Sequence, residues 1–420
     1  MDNGFAKHGV GSFSIVFMTL FLLVFGPVID SSLGPFADTS FLISIMILVI
    51  CLRRNIPREL LFVFSLLFFI TLLALLTAVV NDSNIVEIAI RTIIRPIKAA
   101  VVIFSVFLLI TYYKKNSSFR RDDLLYILFL CIVFHSLIMS VQFFSVEFRD
   151  FIYNFTMAKY QLEHYQNFRM AGLSGGGGAQ LSFTQSFGFL IGLYLLSRND
   201  KNKFILHIGC VFIIISVFLS GRSGFVFILL SCVIFSARVF KYVLYSPRSL
   251  FKVFFVIIGL ILIIPLLNIE MNEFVVIAFE RNFATFINYS ETGSVEDRTL
   301  VALSEMIIVP DTFGHLILGV ASYLENNTYY DINTDIGYFR LIWGYGVIGL
   351  TLHILVYAAL WLLVFNNTKL DTLGKHLLLM SFFFVFLFNA KEIAFFSKMS
   401  FQIFLIIVFT LLLIRDKDTG

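Results

Sequence analysis

The chain has 420 residues, of which 59% are hydrophobic and only 14% are charged, and its mean hydropathy is +0.92. A soluble domain with this balance would lack the polar surface that it needs, so the composition predicts an integral membrane protein. The formal net charge of +4 lies mostly in short loops and gives no reason to expect a nucleic-acid partner.

Apolar runs of bilayer-spanning length recur along the sequence and predict an all-α, polytopic membrane protein with about twelve transmembrane helices in one domain, residues 1–420. Each run is roughly 17 to 25 residues long, which is what a helix needs to cross the hydrocarbon. The first run lacks a small-residue cleavage site, so we expect a retained helix. The predicted spans are 12–29, 38–52, 59–80, 95–113, 124–146, 179–197, 204–220, 223–240, 250–269, 338–365, 375–390 and 400–414.

Lysine and arginine clusters follow every even-numbered span. Because short loops rich in these residues stay in the cytoplasm, both termini are predicted to be cytoplasmic. Two of the opposite, outward-facing segments are large, 146–178 and 270–337, and we expect short amphipathic helices in them. In the second, Ser294 predicts the capped start of a helix that runs through Met306 and ends before Pro310. The four cysteines all lie within spans, so no disulfide is expected.

The stretch FRMAGLSGGGGAQ, 168–180, combines Arg169 with a glycine run that includes Gly175 and Gly176. It lacks the Gly-Lys-Ser/Thr ending of a nucleotide P-loop, so ATP is excluded as its ligand. Glycines that lead into a helix expose backbone N–H groups at the positive helix end, which favours another anion. The alternative is a flexible hinge or a close-packed turn.

The short outer turn LSGRSGF, 219–225, carries Arg222 between two apolar spans. A cation close to hydrocarbon is costly unless it is paired or useful. Arg222 is therefore a candidate anion ligand, and the alternative is that it reaches lipid head groups.

The second large loop contains Arg281 in FERNF and Arg298 in SVEDRTL, where Glu296 or Asp297 could neutralise Arg298. The stretch NTDIGYFRLIWGYGVIGL, 333–350, then predicts a group of polar side chains at the outer end of the tenth span. Its members are Asp335, Tyr338 and Arg340, followed by Gly344, Gly346 and Gly349, which permit close helix packing. Asp335 could also be a simple N-cap.

Two further groups carry charge toward the outer face: Arg95 with Arg91, and Lys391 with Glu392. They either line the same cavity or anchor at head groups. The histidines, among them His135 and His353, show no metal-ligand spacing, and neighbouring helices are expected to satisfy most of them. No magnesium motif is present either, so we expect neither a metal nor a cofactor.

These motifs together resemble the O-antigen polymerase (Wzy) family, within the wider group of O-antigen ligases and polymerases. The resemblance covers about 169–350 through FRMAGLSGGGG, SGRSG, EDRTLVALSEM, LILGVASY and DIGYFRLIWGYGVIGL. It implies a bacterial inner-membrane glycosyltransferase with a periplasmic active site. The substrates would be undecaprenyl-diphosphate-linked oligosaccharides, joined by an inverting, metal-independent transfer among membrane lipids. A chain-length regulator is the protein partner that the resemblance admits.

By matching position, the resemblance implies that Arg169, Arg222 and Arg298 bind the lipid diphosphate and offset its charge as it leaves. Guanidinium groups suit diphosphate oxygens on chemical grounds also. We expect Arg222, Arg298 and a base, Asp335 first and Glu296 or Asp297 next, to carry catalysis. Substrate binding is expected at Arg169, Arg281, Arg340, Tyr338, Arg95, Gly175 and Gly176.

Two rival functions stay open. An O-antigen ligase would transfer the finished chain to lipid A core, but the histidine that ligases carry before the tenth span is absent from TDIGY. A polysaccharide flippase also has about twelve spans, and it should show charged or broken helices near mid-membrane.

Overall fold

The computed structural model describes most of the chain outside the second large loop. The described residues are 10–29, 38–51, 58–81, 86–116, 119–156, 169–174, 177–198, 203–245, 280, 290, 304–322, 332, 334–367 and 370–414. The predicted ninth span, 250–269, lies outside them, as does most of 270–337.

Thirteen helices with described bounds and two isolated β-bridges, Val28 with Asp38 and Ile29 with Thr156, make up most of the regular structure of these residues. The described part of the chain is therefore all-α, as predicted. The helices are α1 (Val10–Phe25), α2 (Thr39–Cys51), α3 (Arg58–Val80), α4 (Val86–Asn116), α5 (Arg121–Phe144), α6 (Val146–Phe155), α7 (Ala179–Ser197), α8 (Lys203–Ser220), α9 (Ser223–Tyr245), α10 (Phe313–Leu318), α11 (Gly337–Asn367), α12 (Thr372–Asn389) and α13 (Lys398–Leu413).

Seven of these helices, α3, α4, α5, α7, α8, α11 and α12, are long and apolar enough to cross a membrane. Four shorter apolar helices coincide with other predicted spans: α1, α2, α9 and α13. A polytopic membrane protein is thus supported, while the number of crossings stays a prediction. The short helix α6 meets the expectation of an amphipathic helix in the first large loop, since it buries Ile152 and Tyr153 on one side.

The long helices run in two opposite directions, so the bundle has two chemically different ends. We call the site end the one where α1, α3, α5, α8 and α12 finish and α2, α4, α7, α9, α11 and α13 begin. Contacts between distant parts of the chain define it: Lys398 Nζ lies 2.7 Å from Asp38 Oδ1 and donates to the Gly26 carbonyl at 2.8 Å. One continuous apolar core extends from Val16 to Ile414 beneath it.

The opposite end, which we call the basic end, is held by an ion-pair network. Arg121 is only 3% exposed, donates to the Ile414 carbonyl at 3.2 Å and lies 3.9 Å from Asp371. Arg198 pairs with Asp371 at 3.2 Å and with Asp122 at 3.6 Å. Two basic residues of the predicted cytoplasmic clusters therefore also join the ends of α5, α7, α12 and α13.

Helix α11 is broken at Gly346, which has φ +66°. A Cβ built on this glycine would lie 2.0 Å from the Ile317 carbonyl oxygen, so α10 packs directly against the break. Trp343 at the break accepts a backbone hydrogen bond from Val320 at 2.7 Å. The sequence predicts close packing at these glycines and a span over 338–365, which α11 covers, but it does not predict the break.

Candidate functional site

The turn before the glycine run is inserted among buried polar side chains. The buried Gln142 of α5 binds both backbone groups of Gly172: its amide nitrogen donates to the carbonyl at 3.0 Å, and its oxygen accepts from the N–H at 2.8 Å. Gly172 has φ +63°, and a Cβ there would lie 2.3 Å from His135 Nε2. Only glycine fits this position without strain. The turn that follows Arg169 is therefore fixed by α5.

His135 also holds this turn by hydrogen bonding. The Leu173 N–H donates to His135 Nε2 at 3.2 Å, so the ring is neutral and carries its proton on Nδ1. Gln185 lies 2.7 Å from Nδ1, and its oxygen must face that proton while its NH₂ faces Ser136 Oγ. This orientation satisfies both polar groups. The prediction that neighbouring helices satisfy the histidines holds for His135.

The arginine turn between α8 and α9 packs against the glycine turn. A Cβ built on Gly221 would lie 3.3 Å from the Gly178 carbonyl carbon, and Ser182 Oγ accepts from the Gly224 N–H at 2.6 Å. The Met170 N–H donates to the Leu219 carbonyl at 3.1 Å. The backbones that carry Arg169 and Arg222 therefore converge, and each residue's predicted role stays a prediction.

The glycine turn leads into α7 through Gly178, which has φ +87° and provides no side-chain cap. The first N–H groups of an α-helix have no acceptor within the helix. The N-terminus of α7 therefore presents partial positive charge beside the turn that carries Arg222.

A charged cluster forms where α11 begins. The Arg340 guanidinium donates to Asp335 Oδ1 at 2.8 Å and also to the Thr334 carbonyl. A Cβ on Gly337 would lie 2.6 Å from the Glu392 carbonyl oxygen, so the start of α11 touches the loop between α12 and α13, 390–397. We call Arg169, Asp335, Arg340, Lys391 and Glu392 the site-end cluster.

Electrostatic effects connect the members of the site-end cluster. Burial raises the pKa of the Glu392 carboxyl; the positive charges of Lys391, Arg340 and Arg169 oppose that rise, and the negative charge of Asp335 adds to it. Partial burial likewise raises the pKa of Asp335, and Lys391 opposes the rise. With three cationic and two acidic side chains, the cluster carries a net charge of +1 when all are ionised. An anion is the ligand that this excess favours.

Two other predicted binding residues, Arg95 and Tyr338, donate side-chain hydrogen bonds to backbone carbonyls of neighbouring elements. A terminal nitrogen of Arg95 donates to the Phe395 carbonyl at 2.6 Å and joins α4 to the loop between α12 and α13. The Tyr338 hydroxyl donates to the Phe386 carbonyl at 2.8 Å and joins α11 to α12. Both contacts join elements that carry members of the site-end cluster. The predicted binding roles of the two residues stay predictions.

Several predicted site residues lie outside the described residues: Arg281, Arg298, Gly175, Gly176, Glu296 and Asp297. Sequence reasoning missed Gln142, whose signal is an amide within an otherwise apolar run near the end of the fifth span. It left open whether Glu392 lines the same cavity as Asp335 or anchors at head groups, because the two lie 57 positions apart and the packing of two helix ends brings them together.

Comparison with known proteins gives no family: no family model, no curated protein and no solved structure matches the chain. Among the described residues, no group of three or more His, Cys, Asp and Glu side chains is suited to hold a metal ion. The expected metal independence stays a prediction.

Proposed function

We propose that the chain is a bacterial inner-membrane glycosyltransferase that joins undecaprenyl-diphosphate-linked oligosaccharide repeat units, with the site end facing the periplasm. The observation that carries the proposal is the approach of Arg169, Arg340 and Lys391 to two carboxylates at one end of an apolar bundle. Cations suit a diphosphate leaving group, and a carboxylate suits the proton of an attacking hydroxyl.

The arginine turn extends the same positive surface. Arg222 is half-buried beside the glycine turn and the N-terminus of α7, where an anionic head group gains both a full charge and backbone dipoles. Guanidinium groups bind phosphate oxygens in a bidentate manner and stay charged at every working pH. Such a site can stabilise a departing lipid diphosphate without a metal.

One observation favours a transporter instead, namely the broken helix α11, because transporters use broken helices at their binding sites. The break lies toward the site end, however. Thr77, one turn before the end of α3, donates to the Leu318 carbonyl next to the break at 3.1 Å. The charged residues that surround Glu392 also gather at this end, which supports chemistry on one face.

Reconstitution with an undecaprenyl-diphosphate-linked repeat unit in the presence of EDTA tests the proposal. We expect the wild type to produce a ladder of products, and Arg222→Ala and Arg298→Ala to abolish it. Arg120→Ala is the matched control, because Arg120 is an exposed arginine at the basic end. A ladder that survives both substitutions unchanged contradicts the proposed clamp. Transfer to lipid A core without a ladder would identify a ligase.

A further inference from the structure

The two acidic side chains of the site-end cluster differ in their bonding. Asp335 Oδ1 accepts a charge-assisted hydrogen bond from Arg340 at 2.8 Å. The Glu392 carboxyl makes no hydrogen bond or ion pair with any residue that the structure describes. No described residue therefore donates to its lone pairs, whereas Asp335 Oδ1 is engaged in orienting a guanidinium.

The backbone beneath Glu392 is held firmly although its carboxyl is not. The Glu392 N–H donates to the Phe388 carbonyl at 3.0 Å. Asn389 Oδ1 accepts from the Ala394 and Phe395 N–H groups at 2.9 and 3.4 Å, which closes the turn that follows. A carboxylate on such a support is positioned for proton transfer, because little of its motion comes from the backbone.

We propose that Glu392 takes the proton from the acceptor hydroxyl, and that Asp335, the first candidate from the sequence, positions Arg340. This inference rests on the proposed function. The charges of Arg169 and Arg340 act on Glu392, so the proposed base and the proposed clamp belong to one site. An inverting single displacement requires the base and the leaving group on opposite sides of the anomeric carbon, so the sugar would lie between Glu392 and the clamp.

The step balances as a single displacement. The acceptor oxygen forms a bond to the anomeric carbon while its proton passes to the Glu392 carboxylate. The bond between the anomeric carbon and the diphosphate oxygen breaks, and its electron pair leaves with undecaprenyl diphosphate, whose charge the arginines stabilise. The proton then passes from Glu392 to water. Burial raises the pKa of this carboxyl, which brings the base closer to the working pH.

Steady-state kinetics in proteoliposomes, with the undecaprenyl-diphosphate-linked repeat unit as donor and acceptor, separate the two roles. Glu392→Gln should lower kcat by about 10²-fold to 10⁴-fold at unchanged KM and remove the acid limb of the pH profile. Asp335→Asn should chiefly raise KM and keep that limb. Glu147→Gln is the matched control, because it removes one exposed glutamate in the first turn of α6.

Wild-type kcat in Glu392→Gln, or a larger kcat loss in Asp335→Asn, would overturn the assignment. If Glu392→Gln no longer binds the undecaprenyl-diphosphate-linked unit, Glu392→Asp tests whether the carboxylate acts as the base. It keeps the carboxylate one methylene further back, so reduced turnover with an acid limb supports the role, and loss of that limb contradicts it. A wild type that forms no product would instead contradict the proposed function itself.

Discussion

Replacing Gln142 with leucine tests whether α5 holds the turn that carries Arg169. The substitution is close in size but removes two hydrogen bonds, at 3.0 and 2.8 Å, from the backbone of Gly172. An N–H and a carbonyl group then lose their partners in a buried site, and each costs about 1–3 kcal/mol. The free energy needed to open the turn locally should therefore fall by about 2–6 kcal/mol in total.

Hydrogen exchange of residues 169–174, followed by mass spectrometry in detergent, measures this change. If the turn opens locally, a loss of this size raises its exchange by about 30-fold to 10⁴-fold. Gln402→Leu is the matched control, because Gln402 is also buried at the site end but donates to Ser40, at 2.6 Å. Equal protection of the turn in the wild type and in Gln142→Leu would show that Gln142 does not hold the turn.

Three further predictions concern stability. Gly346→Ala should lower the free energy of unfolding by roughly 2–6 kcal/mol, because the added methyl group is strained at φ +66° and clashes with the Ile317 carbonyl. The control is Gly314→Ala, where the space is open and thermal unfolding should be almost unchanged. Asp371→Asn keeps the cap on α12 but removes the charge that pairs with Arg198 at 3.2 Å. Thermal unfolding should therefore show a free energy of unfolding that is lower by about 1–3 kcal/mol, and the difference should shrink in high salt. The Glu392 carboxyl has a pKa above its unfolded value, so its stabilising contribution is present at low pH and is lost as the pH rises through the folded pKa. The stability of the wild type relative to Glu392→Gln should therefore fall as the pH rises from the ordinary range of a glutamate pKa through the raised one, and a constant difference would contradict this.

The helices could be predicted from the sequence because each needs only local information. A run of apolar residues bounded by charge forms a helix whatever its neighbours are, so α3, α5 and α12 lie close to the predicted spans. The break in α11 could not be predicted, because a glycine within an apolar run is equally compatible with close packing. The break depends on α10, whose Ile317 carbonyl occupies the space beside Gly346.

The residues of the candidate site could be predicted one by one, but their proximity could not. Arg222 is conspicuous because a cation in a short outer turn opposes the usual charge bias. The convergence of Arg169 with Glu392 depends on helix ends that are remote in sequence, and periodicity says nothing about such pairs. Gln142 has the same limitation, since its partner Gly172 lies 30 positions away in a turn without a pattern of its own.

Equilibrium binding of undecaprenyl diphosphate to the purified protein in EDTA measures whether the site-end arginines hold a lipid diphosphate without a metal. We expect saturable binding that weakens by at least about tenfold in Arg169→Gln and in Arg340→Gln, since each loses a charge-assisted contact of about 1.5–3 kcal/mol. Arg120→Gln, which alters an exposed arginine at the basic end, should bind as the wild type does. Binding that is equally tight in all three variants would contradict the claim that the site-end arginines hold the lipid diphosphate.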